Sequence, residues 1–291
     1  MFNTRALRAA GALVALVAGA RAAAQQDQLA GVEIKATKVA GNVWMLEGAG
    51  GNIGVSAGPD GLLVIDDQFE PLADKIRAAL KGISPGKIVY VINTHHHGDH
   101  TGGNAVFGKE ATILAQENVR RRLSVGEKPM APAGLPVLTY ADGISVWFNG
   151  EEIRIFHAPR GHTDGDSLVW FKTSNVVHMG DQLFHGMFPF IDVDSGGSVS
   201  GYTKNLADVL AKLPKDVRVI PGHGAVGTIA DVEKAHAMLV ETMAIVAKEK
   251  AAGVSLEDAK KAGLPDAWKS WATSFMPVER WVETLYRPET P

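Results

Sequence analysis

The chain has 291 residues, with 29 Lys and Arg against 32 Asp and Glu, a net charge of −3 and no cysteine. The length suits one large domain or two small ones, and a hydrophobic content of 46% with so small a net charge excludes a disordered chain. The slightly acidic balance gives no basic surface for nucleic acid. Since the absence of cysteine excludes disulfides, Fe–S clusters and thiolate ligands, any metal must be held by nitrogen and oxygen.

The first 24 residues are predicted to be a cleaved signal peptide. Arg5 and Arg8 give a positive start, an uncharged apolar run follows at 9–20, and residues 22–24 offer an A-x-A cleavage site. The apolar run is shorter than the roughly 20 residues that cross a bilayer, which disfavours a membrane anchor. We therefore expect a periplasmic or secreted protein whose mature domain is 25–291, with no membrane contact after signal removal.

In the first half of the mature chain, short strands precede one helix. The strands are predicted at 32–39, 43–46, 53–56 and 62–65, separated by Gly-rich turns. A helical pattern follows at 71–81. The uninterrupted apolar run at 88–92 is typical of a strand that is buried on both faces.

The second half again consists of short strands and helices. Strands are predicted at 144–148, 153–157, 167–171, 176–179 and 217–220, and helices at 202–213 and 232–252. Asp231 is the expected N-cap of the last helix and Gly253 its stop signal, and three tryptophans, Trp268, Trp271 and Trp281, are expected to pack a C-terminal helical cap. Two strand-rich halves with helices outside predict an α/β fold, a four-layer αβ/βα sandwich in a single domain.

The most informative segment follows the buried central strand and contains the pattern H-x-H-x-D-H. By chance this pattern appears roughly once in a thousand such chains. His95 and His97 are two residues apart, so in an extended loop they point the same way and can share one cation. Asp99 and His100 lie beyond Gly98 and can reach a second cation. The carboxyl end of a strand is where α/β sheets usually place their sites.

Three weaker signals follow further along the chain. His162 lies in a tight turn between two predicted strands, Asp181 comes just after a strand, and His223 lies in a Pro-Gly-His-Gly turn. Each follows an apolar run and a glycine, which is the setting of a ligand at a strand end. Together with the first cluster they supply five histidines and two aspartates.

With these residues the sequence resembles the metallo-β-lactamase superfamily from about Val43 to Gly224. The resemblance implies that family's αβ/βα fold and two zinc sites, with Asp181 bridging the metals as in glyoxalase-II-like members. The implied ligands of the first site are His95, His97 and His162. The implied ligands of the second site are Asp99, His100 and His223.

Departures from the family pattern leave the substrate open. One lactamase subclass has a Cys at the position of Asp181 and then a Lys that grips the substrate carboxylate, and this chain has neither. Another subclass has the same second site and usually no bridging Asp. Flavodiiron relatives carry an acid at the position of His97. Persulfide dioxygenases share the first motif with a single iron, an alternative that the complete second site disfavours.

The ligand types suit zinc, with iron and manganese as alternatives. Because a bound metal lowers the pKa of water from 15.7 to about 7, we expect a hydroxide between the metals as the nucleophile. Asp99 is the expected catalytic residue, which orients that hydroxide as well as ligating. We expect an exported dinuclear zinc hydrolase acting on a small molecule, with β-lactam hydrolysis, even if slight, as the first choice. The alternatives are a lactone, ester or thioester hydrolase and, less favoured, a non-catalytic metal-binding accessory protein.

Other polar residues near the motifs have simpler interpretations. His96 is expected to point away from the metals, and His157 and His178 to lie in the core or to support a ligand. Asp66 and Asp67 are expected either to support a ligand histidine or to cap a turn. The apolar segment 185–191 and the Gly/Ser-rich segment after it are expected to form one wall of the cleft, with Ser195 or Ser198 as hydrogen-bond donors.

Overall fold

In a computed structural model of the chain, which describes residues 29–288, two β-sheets pack face to face. The signal peptide predicted at 1–24 lies outside the described residues. The seven-stranded sheet contains, in spatial order, β1 (Lys35–Ala40), β2 (Val43–Glu47), β3 (Ile53–Gly58), β4 (Gly61–Ile65), β5 (Ile88–Asn93), β6 (Thr112–Gln116) and β7 (Leu138–Tyr140). The six-stranded sheet contains β8 (Gly143–Phe148), β9 (Glu151–His157), β10 (Ser167–Phe171), β11 (Val176–His178), β12 (Arg218–Ile220) and β13 (Gly227–Thr228).

The helices cover the outer faces of the sheets. Within the described range they are α1 (Ala73–Ile83), α2 (Gly98–Thr101), α3 (Asn104–Phe107), α4 (Glu117–Leu123), α5 (Val199–Lys212), α6 (Ile229–Ala251), α7 (Leu256–Ala262), α8 (Asp266–Lys269) and α9 (Val278–Tyr286). Helix α1 buries Ile76 and Leu80 against the first sheet. Helices α5 and α6 pack on the second sheet, and the C-terminal tryptophans pack with them.

Besides the two hydrophobic cores under the outer helices, a third core fills the space between the sheets. Its side chains include Met45, Ile65 and Ile92 from the first sheet and Ile155 and Phe171 from the second. The layers therefore run helix, sheet, sheet, helix, which confirms the predicted αβ/βα sandwich. Strands β4 to β7 are parallel, so their carboxyl ends open on one edge, where the loops of the site begin.

Several predicted elements need correction. Strand β5 is fully buried only over its last three residues, and its pairing with β4 shifts register between Leu62 and Leu63. Helix α6 begins three residues before the predicted start. Its N-cap is Thr228, and the predicted cap Asp231 instead accepts from the Thr228 backbone N–H at 2.8 Å and from its hydroxyl at 2.9 Å, which forms a capping box. Strands β6 and β7 and helix α4 had no predicted counterpart.

Candidate metal centre

The seven residues predicted as ligands meet where loops from both sheets converge. The loop after β5 and the short helix α2 carry His95, His97, Asp99 and His100. The three others lie on loops of the second sheet. His162 lies between β9 and β10, Asp181 after β11, and His223 after β12. The fold thus brings together all seven residues, although their ligation of a metal stays a prediction.

Asp181 lies between two groups of histidines. Its Oδ2 is 3.4 Å from Nε2 of His162 and 3.9 Å from Nε2 of His95. Its Oδ1 is 3.1 Å from Nε2 of His100 and 3.4 Å from Nε2 of His223. One carboxylate oxygen therefore faces each group, as expected of a residue that bridges two metals.

The first group consists of His95, His97 and His162. Their ring centroids are 4.6 to 4.8 Å apart, and the rings meet nearly edge to face. One donor atom from each ring and one Asp181 oxygen all lie within 4.8 Å of one another. Such a set can surround a single cation.

Hydrogen bonds fix which nitrogen of two of these rings carries the proton. His97 Nε2 donates to the Asp192 carboxylate at 2.8 Å, and His162 Nδ1 donates to the Phe190 carbonyl at 2.7 Å. The remaining nitrogens, His97 Nδ1 and His162 Nε2, are then lone-pair donors, and they lie only 2.8 Å apart. Two lone pairs at this distance repel each other unless a cation or a proton attracts both. This geometry is therefore what a metal site requires.

Asp66 likewise fixes which nitrogen carries the proton in one ring of each group, His95 through Thr94 and His100 directly. Its carboxylate accepts from the backbone N–H and the hydroxyl of Thr94, each at 2.7 Å, and from His100 Nδ1 at 2.7 Å. The Thr94 oxygen in turn accepts from His95 Nδ1 at 3.1 Å. The Nε2 atoms of His95 and His100 are therefore lone pairs, and in the described structure both are buried without a hydrogen-bond partner. Asp66 adopts φ 62°, a strained backbone conformation often found at functional sites.

The second group consists of Asp99, His100 and His223. The Asp99 Oδ2 is 3.6 Å from His100 Nε2 and 3.5 Å from His223 Nε2. This group is more open than the first, since the side chains of Asp99 and His223 are 29% and 26% exposed. The His223 ring stacks on Phe184, with centroids 5.0 Å apart.

The pKa values of the histidines shift in opposite directions, down for His95 and His162 and up for His100 and His223. Burial lowers the pKa of His95 well below its usual value and that of His162 to about 4, so both rings are neutral at pH 7. Burial also opposes charging of His100 and His223, but the nearby carboxylates outweigh it and raise both pKa values. Burial would raise the pKa of Asp181, yet the surrounding imidazoles, His100 foremost, hold it well below its usual range.

The donor set fits divalent metal ions. Imidazole nitrogens and carboxylate oxygens are ligands that zinc accepts, and one nitrogen from each of four imidazole rings points into one small volume. Within the described residues, His95 Nε2, His100 Nε2 and Asp181 Oδ1 are buried polar atoms with no hydrogen-bond partner. Since nearly all buried polar atoms in proteins are satisfied, three such atoms in one place fit residues that hold a cation.

Contacts between distant loops hold the centre together. Asn52 Nδ2 donates to the carbonyls of Pro221 at 2.9 Å and Gly224 at 2.8 Å, which fixes the loop of His223 against the first half of the chain. A side chain at Gly222 would collide with Asp181 Oδ1. Sequence reasoning missed Asn52 and Asp192. The Gly-Gly-Asn turn was a weak sign of Asn52, whereas nothing near Asp192 in the sequence marks it.

The simpler interpretations were largely correct. His178 and His157 are held by backbone groups, through Asn52 O and Asp166 O, and belong to neither group. His96 also belongs to neither group, and its Nε2 lies 3.4 Å from the Ser195 hydroxyl. Asp66 supports ligands, whereas Asp67 accepts from the Gly103 backbone N–H at 2.8 Å and so holds the motif loop.

An apolar pocket of about 710 Å³ opens above the centre. Five aromatic side chains and one methionine line it, together with centre residues that include Asp99, Asp181 and His223. The apolar residues are Phe69, Phe184, Met187, Phe188, Phe190 and Phe275. The expected wall at 185–191 is therefore present. The expected roles of the two serines are wrong, because Ser198 caps α5 and Ser195 contacts His96, and neither lines the pocket.

Comparisons with known proteins agree with this geometry. The sequence profile of the Metallo-beta-lactamase superfamily matches residues 36–223. The chain is 25% identical over 162 residues to metallo-beta-lactamase type 2 of Bacteroides fragilis, a match that covers 56% of this chain and 62% of that protein. It is 31% identical over 158 residues to the hydroxyacylglutathione hydrolase of Rhodospirillum rubrum, covering 52% of this chain and 54% of that protein. The chain thus spans between half and two thirds of the length of these relatives.

A solved structure shows the shared fold directly. The metallo-beta-lactamase from Pontibacter korlensis superposes with a TM-score of 0.63 and 16% sequence identity, covering 71% of this chain and 99% of that chain. The profile match includes all seven residues of the centre, from His95 to His223. The resemblance seen in the sequence is therefore confirmed: the chain belongs to the metallo-beta-lactamase superfamily, and the relatives named above are hydrolases.

Proposed function

We propose that this protein is a two-zinc hydrolase that cleaves the acyl bond of an uncharged ester, lactone or thioester. The observation that carries the proposal is the convergence of two imidazole nitrogens and one carboxylate oxygen, all buried without hydrogen-bond partners, at the base of an apolar pocket. His95, His97 and His162 would hold one ion and Asp99, His100 and His223 the other. Asp181 faces both groups.

The proposed chemistry needs little from the protein beyond position and polarity. When bound, the zinc pair supplies a Lewis acid for the substrate carbonyl and lowers the pKa of water. Asp99 lines the pocket and is partly exposed, so its carboxylate can accept a proton from the attacking water and orient it. The aromatic walls exclude bulk water and hold the apolar part of the substrate.

The pocket lining favours an uncharged substrate. None of the described residues that line it is Lys or Arg. A carboxylate that entered it would lose water without gaining a cationic partner, which is costly. The names of relatives support acyl-bond cleavage, since the Rhodospirillum rubrum relative is a hydroxyacylglutathione hydrolase.

The second candidate is β-lactam hydrolysis, the first choice from the sequence. The match to the Bacteroides fragilis metallo-beta-lactamase favours it. β-Lactam antibiotics carry a carboxylate that lactamases of one subclass grip with a Lys, and the run from Asp181 to Phe184 has no such residue. We therefore rank this activity below the hydrolysis of uncharged acyl substrates.

The compartment is also a proposal. Among residues 29–288, no helix is long and apolar enough to cross a membrane. The segment 1–24 has the charge and hydropathy pattern of a signal peptide, so we propose export to the periplasm or the medium. N-terminal sequencing of protein recovered from an export-competent host would show a mature start near Gln25.

The function is tested with chelated protein, zinc-reloaded protein and two chromogenic substrates. We expect about two zinc ions per chain by atomic spectroscopy. With a neutral para-nitrophenyl ester we expect kcat/KM near the usual enzyme range of about 10⁴ M⁻¹s⁻¹, lost on chelation. A chromogenic cephalosporin should turn over more slowly. A reversed order would make β-lactams the better substrates. Two bound zinc ions without turnover of any acyl substrate would favour the accessory protein instead.

A further inference from the structure

The outer wall of the pocket comes from the C-terminal helical region. Thr273 and Phe275, in the segment between α8 and α9, line the pocket together with residues of the loops that carry the ligands. The Phe275 ring packs edge-on against Phe190, with centroids 5.8 Å apart at 71°. Phe275 is nevertheless 57% exposed. A large apolar ring therefore stands half uncovered at the entrance to the centre.

Arg280 holds this ring in place. Its guanidinium carbon lies 4.7 Å from the Phe275 ring centroid and 5.4 Å from that of Phe190. Its Nη1 also donates to the Phe275 carbonyl at 2.7 Å. Within the described chain Arg280 makes no salt bridge. The cation thus fixes both the backbone and the ring of Phe275 through π contacts and one hydrogen bond.

Phe190 connects this wall to the centre. Its carbonyl accepts from His162 Nδ1 at 2.7 Å, and its ring lies 6.1 Å from the His97 ring and 5.8 Å from the His162 ring. An apolar group that packs on Phe190 and Phe275 therefore lies beside the ligands. The carbonyl attached to such a group would stand over the donor atoms.

We propose that Phe275 determines acyl specificity and that Arg280 is its positioning residue. The substrate class is an uncharged acyl compound whose long alkyl chain or aryl ring packs against Phe190 and Phe275. This inference rests on the proposed function, since it specifies the acyl group whose bond the centre would cleave. The preference arises because the acyl group covers the exposed face of Phe275. Each methylene buried in this way should strengthen binding about fourfold.

The test compares Phe275→Ala, Arg280→Met and Arg280→Lys with a control, Val240→Ala. Val240 is an exposed apolar residue on α6 that does not line the pocket. The substrates are the para-nitrophenyl esters of acetic, hexanoic and decanoic acid. For Phe275→Ala we expect kcat/KM on the decanoyl ester to fall about tenfold, through KM, with less than a twofold change on the acetyl ester.

Arg280 should act only through Phe275. Arg280→Met should give the same pattern with a smaller loss, and Arg280→Lys should recover part of it because the cation is retained. An equal loss on all three esters would make these residues merely structural and would overturn the proposal. A loss confined to a carboxylate-bearing ester, the mono-para-nitrophenyl ester of adipic acid, would make Arg280 an anion anchor and would also overturn it.

A binding measurement separates this proposal from the proposed function. The fluorescence of the neutral dye N-phenylnaphthylamine reports apolar binding without any turnover. Phe275→Ala should weaken the Kd of the zinc-loaded protein for the dye about tenfold, and Val240→Ala should leave it unchanged. If no ester turns over but this difference is found, only the proposed function fails. Equal Kd values for Phe275→Ala and the wild type would overturn the specificity proposal.

Discussion

The two groups of ligands differ in how firmly the protein holds them. In the first group every imidazole has its other nitrogen fixed, by the hydroxyl of Thr94, the carboxylate of Asp192 and the carbonyl of Phe190. In the second group only His100 is fixed in this way, by Asp66. Asp99 and His223 are partly exposed, and within the described structure neither side chain makes such a bond.

This difference indicates different roles for the two sites. A ligand whose tautomer and orientation are fixed in advance loses little entropy on binding, so the first group should bind its ion more tightly. The second group lines the pocket and can adjust when a substrate enters. Four predictions test this contrast, in order of decreasing effect.

Asp181→Asn should have the largest effect, because Asp181 faces both groups. The substitution keeps the shape of the side chain and removes its charge. We expect kcat/KM for a neutral ester to fall about a thousandfold, since displacing the ions that would stabilise transition-state charge costs about 3–4 kcal/mol. Bound zinc should fall below two per chain. Asp194→Asn makes the same change at an exposed position and should alter neither quantity.

Asp66→Asn and Asp192→Asn should change the zinc affinities of the two groups by different amounts. Asp66 supports His100 directly and His95 through Thr94, so its loss should weaken both zinc affinities by about 100-fold. Among the predicted ligands, the Asp192 carboxylate bonds only His97, and its loss should weaken the first affinity by about tenfold. Competition with a chromophoric chelator measures both constants, and circular dichroism checks the fold. Equal effects of the two variants on both affinities would contradict the contrast.

Acidification should release the second ion before the first. The raised pKa values of His100 and His223 mean that protons compete with the metal near neutral pH, so affinity should fall about tenfold per pH unit for each proton displaced. The lowered pKa values of His95 and His162 keep these rings unprotonated well below neutral pH, and His162 has a pKa of about 4. Zinc content after dialysis from about pH 8 to about pH 5 should therefore fall from two to one. Loss of both ions together would contradict this prediction.

Phe184→Leu should have the smallest effect. It removes the ring that stacks on His223 and keeps an apolar side chain. Because an aromatic pair contributes about 0.5–1.5 kcal/mol, we expect the second zinc affinity to fall by roughly two- to tenfold. The first should fall less, since the Phe184 ring is tilted and not stacked on His162, with centroids 6.0 Å apart. Phe69→Leu provides the matched comparison, since Phe69 lines the pocket and does not stack on a ligand. A similar loss for both variants would assign the effect to the pocket rather than to the stack.

Local signals predicted much of the fold and the residues of the centre. Apolar periodicity reports which face of a strand or helix is buried, so most strand and helix positions could be predicted from short stretches. The register at β5 and the start of α6 could not be predicted as reliably. The first depends on pairing with β4, and the second on a capping box that Thr228 forms with Asp231.

The residue types along the chain set the chemistry available at the centre, because H-x-H-x-D-H and three later residues carry its donor atoms. How these atoms are held and which side chains lie above them depend on contacts between distant parts of the fold. His97 meets Asp192 across 95 positions of chain, and Arg280 meets Phe190 from a separate helix. Such contacts depend on how loops from two sheets and a C-terminal helix pack together, and no local pattern encodes that packing. The pocket wall, and with it the proposed substrate preference, is therefore a property of the folded chain.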